Sequence, residues 1–394
     1  MRLVYLDNNA TTRVDPEVVE AMAPYFTERY GNPSSMHQSG ALAHKGVALA
    51  REQVAQFLGA HPDEIIFTSC GTESDNAAIH GVLNAYPDKR HFVTTRVEHP
   101  AVLNQIPYLK RKGYRVTELS VDRDGNLDLE ELRASLTEDT ALVSIMYANN
   151  ETGVIFPMEE IAQVVKSRGI PLHTDAVQAA GKIPINLGKL PVDLLTFSGH
   201  KLHAPKGIGV LYQRRGTRLV PFMVGGHQEK GRRGGTENVP YIVALGKACE
   251  LAQQHLGSSI RRMAELRDRL QQGILERIPN VIVNGANAPR TPNTLSCCFE
   301  YIEGESLLLL LNDLGICASS GSACTSGSLE PSHVLRAMGV PYTAAHGSIR
   351  FSLSRYTTEE EVDFVLEHLP GIVERLRAIS PFWGREGAAF RRAV

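Results

Sequence analysis

Six apolar runs of four to six residues do most to limit what this chain can fold into. They are Glu64 to Thr68, Phe92 to Thr95, Ala141 to Met146, Ile170 to His173, Val192 to Phe197 and Gly207 to Tyr212. Several carry apolar side chains on both faces, the pattern of strands covered on both sides of a parallel sheet. Helical patterns separate them. Val47, Ala50, Val54, Phe57 and Leu58 recur at helical spacing, and Gly59 follows as a C-terminal stop. Strand and helix in alternation predict an α/β fold on a mainly parallel sheet. In such sheets ligands bind beyond the carboxyl ends of the strands, so the residues just after these runs are where chemistry is sought.

The pattern changes after Leu256. Ile260, Met263, Leu266, Leu270, Ile274 and Ile278 step by three or four residues, the signature of a long amphipathic helix. Strand-like and helical segments then mix as far as a helix opening at Thr358, with Glu361 three residues on as a capping box. The expected organisation is a large domain over residues 16–256 and a smaller α+β domain over residues 257–394, joined by residues 1–15.

Charge and cysteine usage narrow the function classes. The chain of 394 residues has 41 lysines and arginines against 43 acids, a balance that gives no general attraction to nucleic acid or an anionic membrane. The longest leucine run, Leu307 to Leu311, is far short of a membrane span. The start, MRLVYLDNNATT, has no apolar signal core, so the expectation is a cytoplasmic protein. Six cysteines without CxxC spacing argue against structural zinc, and reduced thiols are expected rather than a disulfide framework. Five of them, Cys70, Cys249, Cys297, Cys298 and Cys317, read as packing residues. Cys324 differs: it sits in SSGSACTSGS, a small and polar stretch that packing does not explain, and is a candidate nucleophile.

Lys201 follows the run Val192 to Phe197 through Ser198 and Gly199, and Asp175 ends the run before it. By position alone Lys201 is a surface lysine and Asp175 a helix cap. Together, at the ends of neighbouring strands, they suit pyridoxal phosphate: the lysine forms the Schiff base, and the carboxylate keeps the pyridine nitrogen protonated. The phosphate needs a cradle. The turn Ser69-Cys70-Gly71-Thr72 leads from a strand into a helix, whose start offers N–H groups to an anion. Ser198 and His200 stand on the Lys201 loop within reach of the same phosphate. His99, in EHPA, suits stacking on an aromatic cofactor or proton transfer. His200 and His203 are spaced as metal ligands, but nothing nearby completes a set, so no metal is expected. Arg350 lies in the strand-like SIRFSLS, where its guanidinium needs either an internal salt bridge or a carboxylate ligand.

Taken in order, the motifs resemble the cysteine desulfurases, pyridoxal-phosphate enzymes of fold type I. The resemblance rests on YLDNNATT, GNPSS, CGTESDN, EHPA, NNETG, HTDAVQ, SGHKLHAPKGIG and SSGSACTSGSLEPSHVL. The SGSACTS stretch resembles the group with a long, mobile cysteine loop. GGHQEKGRRGGTENVP and TTRVDPEVVEAM look most like the nitrogen-fixation, NifS-type branch, while housekeeping and tRNA-thiolation relatives share much of the rest. The resemblance implies a large domain with a mainly parallel seven-stranded sheet. It implies that Lys201 holds the cofactor, Asp175 pairs its ring nitrogen and His99 stacks on its ring. Asn150 and Gln178 would bond the ring-hydroxyl side, and Gly71, Thr72, Ser198 and His200 the phosphate. Thr236 would reach the phosphate in the other subunit of a homodimer. Arg350, with Asn150, would bind the carboxylate of L-cysteine. Cys324 would take the sulfur as a persulfide, leaving L-alanine and supplying an iron–sulfur scaffold of the NifU-like kind. Selenocysteine lyase, aminotransferase or a non-catalytic scaffold of the same fold are the rival readings.

Overall fold

A computed structural model describes residues 3–320 and 331–383. Its main sheet has seven strands. In spatial order they are Ile65–Thr68, Gly209–Gln213, Leu194–Ser198, Leu172–Asp175, Thr140–Ser144, His91–Thr95 and Arg115–Leu119. Gly209–Gln213 pairs antiparallel with both neighbours, and the remaining pairs are parallel. The six other strands therefore point one way, and the ends at Thr68, Thr95, Ser144, Asp175 and Ser198 share one edge.

All six expected runs are strands, each shifted by two residues at most. Arg115–Leu119 is the strand the apolar pattern did not show. It lies at the sheet edge, and its first four residues stay partly or fully exposed. Its RVTEL sequence therefore carries only ordinary β-propensity with no buried run to mark it. Gly59 ends the helix Gln38–Leu58 in the left-handed region, φ +64°, as expected of a glycine stop.

One helix, Val239–Arg277, runs through the place where the sequence pattern changes. At 39 residues it is about 58 Å long. Gly257, Ser258 and Ser259 are poor helix formers, which is why the periodicity broke there. Packing at both ends overrides that local cost. Ala244, Leu245 and Ala248 belong to the core under the main sheet, and Leu266, Leu270 and Ile274 to a second core. The second core also holds Phe299, Leu307, Phe351, Val365 and Leu369. It is roofed by a three-stranded antiparallel sheet, Val281–Val283, Thr294–Phe299 and Ser348–Ser352. Residues Val334, Leu335 and Met338 pack on the first core instead.

The N-terminal segment joins the two cores. Val4 and Leu6 are fully buried in the second, where Val4–Tyr5 pairs with Ile316–Cys317. Three residues later the chain passes the carboxyl edge of the main sheet, and the Thr12 hydroxyl donates to the carbonyl of His200 at 2.9 Å.

Candidate functional site

A cavity of about 350 Å³ opens where the carboxyl edge of the main sheet meets the N-terminal segment. Its wall contains Gly71, Thr72, His99, Asn150, Asp175, Gln178, Ser198, His200, Lys201 and Arg350. Ten residues singled out from sequence thus come together. Thr236 does not line it and is exposed. Cys324 lies outside the described residues.

Lys201 is placed by a tight exit from its strand. Leu194–Ser198 passes directly into a single turn, Gly199–Lys201. A side chain at position 199 would meet Ile208 Cγ2 at 2.8 Å, so only glycine lets the turn close there. Lys201 Nζ donates to the carbonyls of Asn9 at 2.5 Å and Ala10 at 2.7 Å. Asp175 ends the adjacent strand and is buried, its Oδ1 accepting from the Val177 N–H at 2.8 Å. Burial raises the Asp175 carboxyl above the usual range, and the neighbouring His99 and Lys201 oppose that.

His99 caps the short helix Pro100–Leu103. Its Nδ1 accepts from the Ala101 N–H at 3.1 Å, which leaves Nε2 as the nitrogen able to exchange a proton. Burial lowers its pKa, while Asp175 holds it up. The ligand atoms of Asp75, His99 and Asp175 all lie within 4.8 Å of one another. Asp75 was missed from sequence. It lines the cavity, its buried Oδ1 has no hydrogen-bond partner among the described residues although His173 Nε2 stands 3.6 Å away, and burial and Asp175 raise its pKa well above the ordinary value.

The anion cradle is built at the start of the 15-residue helix Gly71–Ala85. A side chain at position 71 would press Val177 Cγ2 at 3.0 Å and Ser198 Cβ at 3.5 Å, inside the cavity. Ser198 Oγ is buried with no partner among the described residues. A buried hydroxyl left open in this way awaits a ligand. His200 Nδ1 stands 3.2 Å from Thr11 Oγ1, and burial with Lys201, Lys206 and Lys182 nearby depresses its pKa to about 4. It is neutral at pH 7 and offers a hydrogen bond rather than a charge. His203 turns away to the carbonyl of Arg13, so the two histidines do not converge.

Cys70 corrects the expectation of a plain packing cysteine. It lines the cavity, is only partly buried, and its Sγ accepts from the Glu73 N–H at 3.4 Å as the helix cap. Cys249, Cys297 and Cys298 are buried, and burial raises the Cys298 thiol to about 11. Cys317 is partly buried.

Arg350 closes the opposite wall. One arm donates to Asp7 Oδ1 at 2.8 Å and another to the carbonyl of Asn150 at 2.9 Å. Its Nε is buried with no hydrogen-bond partner among the described residues. Salt bridge and ligand site are therefore not alternatives here, since the guanidinium is held by Asp7 and still faces the cavity. Both described flanks of residues 321–330 adjoin this wall. Ser319 exchanges backbone hydrogen bonds with Arg350. Ser332 donates to Glu151 Oε2, and His333 Nε2 lies 3.0 Å from the carbonyl of Glu98. The basic residues near Thr236 are engaged internally: Arg233 pairs with Glu73 at 2.8 Å, and Lys230 with Asp63.

Asn9 and Ala10, also missed from sequence, form the remaining side. Asn9 donates from Nδ2 to Thr294 Oγ1 at 2.9 Å and to the carbonyl of Asn150 at 3.1 Å. The amine, the buried carboxyl beside it, the open Ser198 hydroxyl and the glycine-fronted helix start fit pyridoxal phosphate in kind and position.

Comparison with known proteins agrees with this chemistry. The family model described as aminotransferase class-V matches residues 4–365. A cysteine desulfurase of Trichormus azollae is 65% identical over 382 residues, 97% of this chain and 96% of that one. The cysteine desulfurase NifS of Azotobacter vinelandii is 57% identical over 385 residues, 98% of this chain and 96% of that one. Among solved structures, a NifS-like protein superposes with a TM-score of 0.90 at 44% identity, covering 95% of this chain and all of that chain.

Proposed function

The chain belongs to the class-V aminotransferase family, among its pyridoxal-phosphate-dependent cysteine desulfurases, and from that premise we propose how its residues divide the work and which pathway they serve. Pyridoxal phosphate, when bound, supplies an electron sink for charge developing at the substrate's α-carbon. Lys201 is the residue that would hold it covalently, and the Lys201 amine is the base that would take the α-proton. Asp175 would keep a proton on the ring nitrogen, and His99 would lie against the ring. Gly71, Thr72, Ser198 and a neutral His200 would bind the phosphate; Asn150 and Gln178 would face the ring hydroxyl. Arg350 would orient the cysteine carboxylate, with Asp7 fixing the plane of its guanidinium.

Cys324, as thiolate, would attack the sulfur of the substrate. An S–S bond forms, the substrate's C–S bond breaks, and its electron pair stays on the carbon. Protonation of that carbon gives L-alanine, while Cys324 keeps the sulfur as a persulfide. His99 Nε2 would carry protons between these groups. The observation that carries the reading is the convergence of Lys201, Asp175, His99, Ser198 and Arg350 on one cavity, with both flanks of the Cys324 segment at its wall.

We further assign the sulfur to iron–sulfur cluster assembly, in the nitrogenase branch, with a NifU-like scaffold as acceptor. The enzyme would work in the cytoplasm as a homodimer in which Thr236 reaches the partner's phosphate. No helix among the described residues is long and apolar enough to cross a membrane. The decisive experiment compares wild type with Cys324→Ala in L-cysteine under reductant. The variant should keep the absorbance of the bound cofactor and form no persulfide or sulfide. Normal turnover by that variant would remove Cys324 from its role. A pull-down that recovers a tRNA-thiolation enzyme instead of a scaffold would overturn the branch.

A further inference from the structure

Behind the cavity wall lies a lysine that the reaction does not use. Lys182 is 6% exposed and does not line the cavity. Its Nζ meets two amide oxygens, Gln178 Oε1 at 2.5 Å and Asn9 Oδ1 at 3.2 Å. Among the described residues no carboxylate lies within ion-pair distance of it. The charged groups facing it are cations, Lys201 and Arg350. With burial, they push its pKa well below the ordinary lysine range. In either protonation state the amine has an N–H bond for each of the two oxygens.

Those two oxygens belong to residues that do face the cavity. With Oε1 taken by Lys182, the amide of Gln178 can present only its NH₂. One N–H goes to the carbonyl of Asn9 at 3.0 Å, and the other is left for the cavity. The same carbonyl receives Lys201 Nζ at 2.5 Å. Were the Gln178 amide reversed, its oxygen would face the Asn9 carbonyl oxygen, and its NH₂ would face the amine. We propose that Lys182 is a positioning residue that locks the Gln178 amide with its N–H toward the cofactor's ring oxygen and steadies the Asn9 segment over Lys201. This rests on the placement of Gln178 beside that oxygen given above.

The test uses the holoenzyme and two readouts besides turnover: the dissociation constant of pyridoxal phosphate, and the pH midpoint of the bound cofactor's visible absorbance. An N–H donated to the ring oxygen favours its anionic form, so losing that donor should raise the midpoint. Lys182→Met keeps the length without the donor. It should raise the midpoint and weaken cofactor binding about five- to tenfold, the worth of one hydrogen bond. Gln178→Leu should do the same, and Lys182→Met should add nothing on the Gln178→Leu background, as expected of two residues acting as one unit. If Gln178→Leu shifts both readouts while Lys182→Met shifts neither, the positioning role is wrong. It is equally wrong if Lys182→Met has its full effect in the absence of Gln178, since the lysine would then act by its own charge. A silent Gln178→Leu sinks the placement of Gln178 itself, and the proposal with it.

Discussion

Asp75, Asp175 and Glu98 form one charged cluster at the site, and Lys201, Lys182 and Arg350 form another. Burial moves the three acids and Lys182 in opposite senses. It raises all three carboxyls, Glu98 to about 8, and drives Lys182 down. The three acids and Lys182 are thereby inclined toward their neutral forms until a partner of opposite charge arrives. Pyridoxal phosphate, held as proposed, would bring both partners in one molecule: a ring nitrogen that takes a proton for the acids, and anionic oxygens for the donors.

The largest effect should come from removing Lys201, the amine of the basic cluster that lines the cavity. Lys201→Ala would lose both the proposed covalent hold and the proposed proton transfer, so turnover should fall at least ~10³-fold, and the protein should lose cofactor on dialysis. Asp175→Asn should lose a comparable factor but keep its cofactor, with altered absorbance. If Asp175→Asn instead releases cofactor as readily as Lys201→Ala, the two clusters are not doing different jobs. Arg350→Gln comes next. Loss of a charge-assisted pair should raise KM about 10- to 100-fold, with a smaller change in kcat. An effect confined to kcat would move Arg350 away from substrate carboxylate binding and toward holding Asp7.

The acidic cluster was legible in the chain only through Asp175, and the basic one through Lys201 and Arg350. Lys201 and Asp175 stood out because a strand end is visible in sequence and ligands gather there. Ser198, Gly71 and Thr72 followed from the same edge. Asp75 sits one turn inside a helix and Lys182 after a turn in AAGKIP, and a surface position suits either residue equally well. What sets them apart is burial, which depends on neighbours far along the chain. Asn9 shows the distance involved: it binds Asn150, 141 positions on, and Ser352, 343 positions on. The strands of the main sheet were legible where they are buried, and Arg115–Leu119 escaped notice because it is an edge. The unbroken helix Val239–Arg277 was hidden by Gly257 and two serines, whose local preference yields to two cores.

Glu98 offers the finest test of the contrast. EHPA drew attention to its histidine, yet the glutamate beside it is fully buried. Its Oε1 accepts from Thr95 Oγ1 at 2.8 Å and from the Met146 N–H at 2.9 Å, and its Oε2 has no partner among the described residues. Desolvation is the largest influence and raises the pKa from 4.5 to about 8, with Asp175 adding to it against the two hydrogen bonds. A carboxyl whose folded pKa lies above its unfolded one stabilises the fold fully below the unfolded value. That contribution is lost as pH rises through the folded value. Between pH 6 and 8 the wild type should therefore lose about 2 kcal/mol of stability that a neutral residue does not lose. Glu98→Gln supplies that control: it keeps one acceptor for Thr95 and Met146 and cannot ionise. Denaturant unfolding of both proteins at the two pH values isolates the difference from every other titrating group. A gap between them that does not change with pH means that Glu98 is already ionised in the folded protein. Burial would then not neutralise the acid cluster, and the symmetry with Lys182 would fail on the acid side.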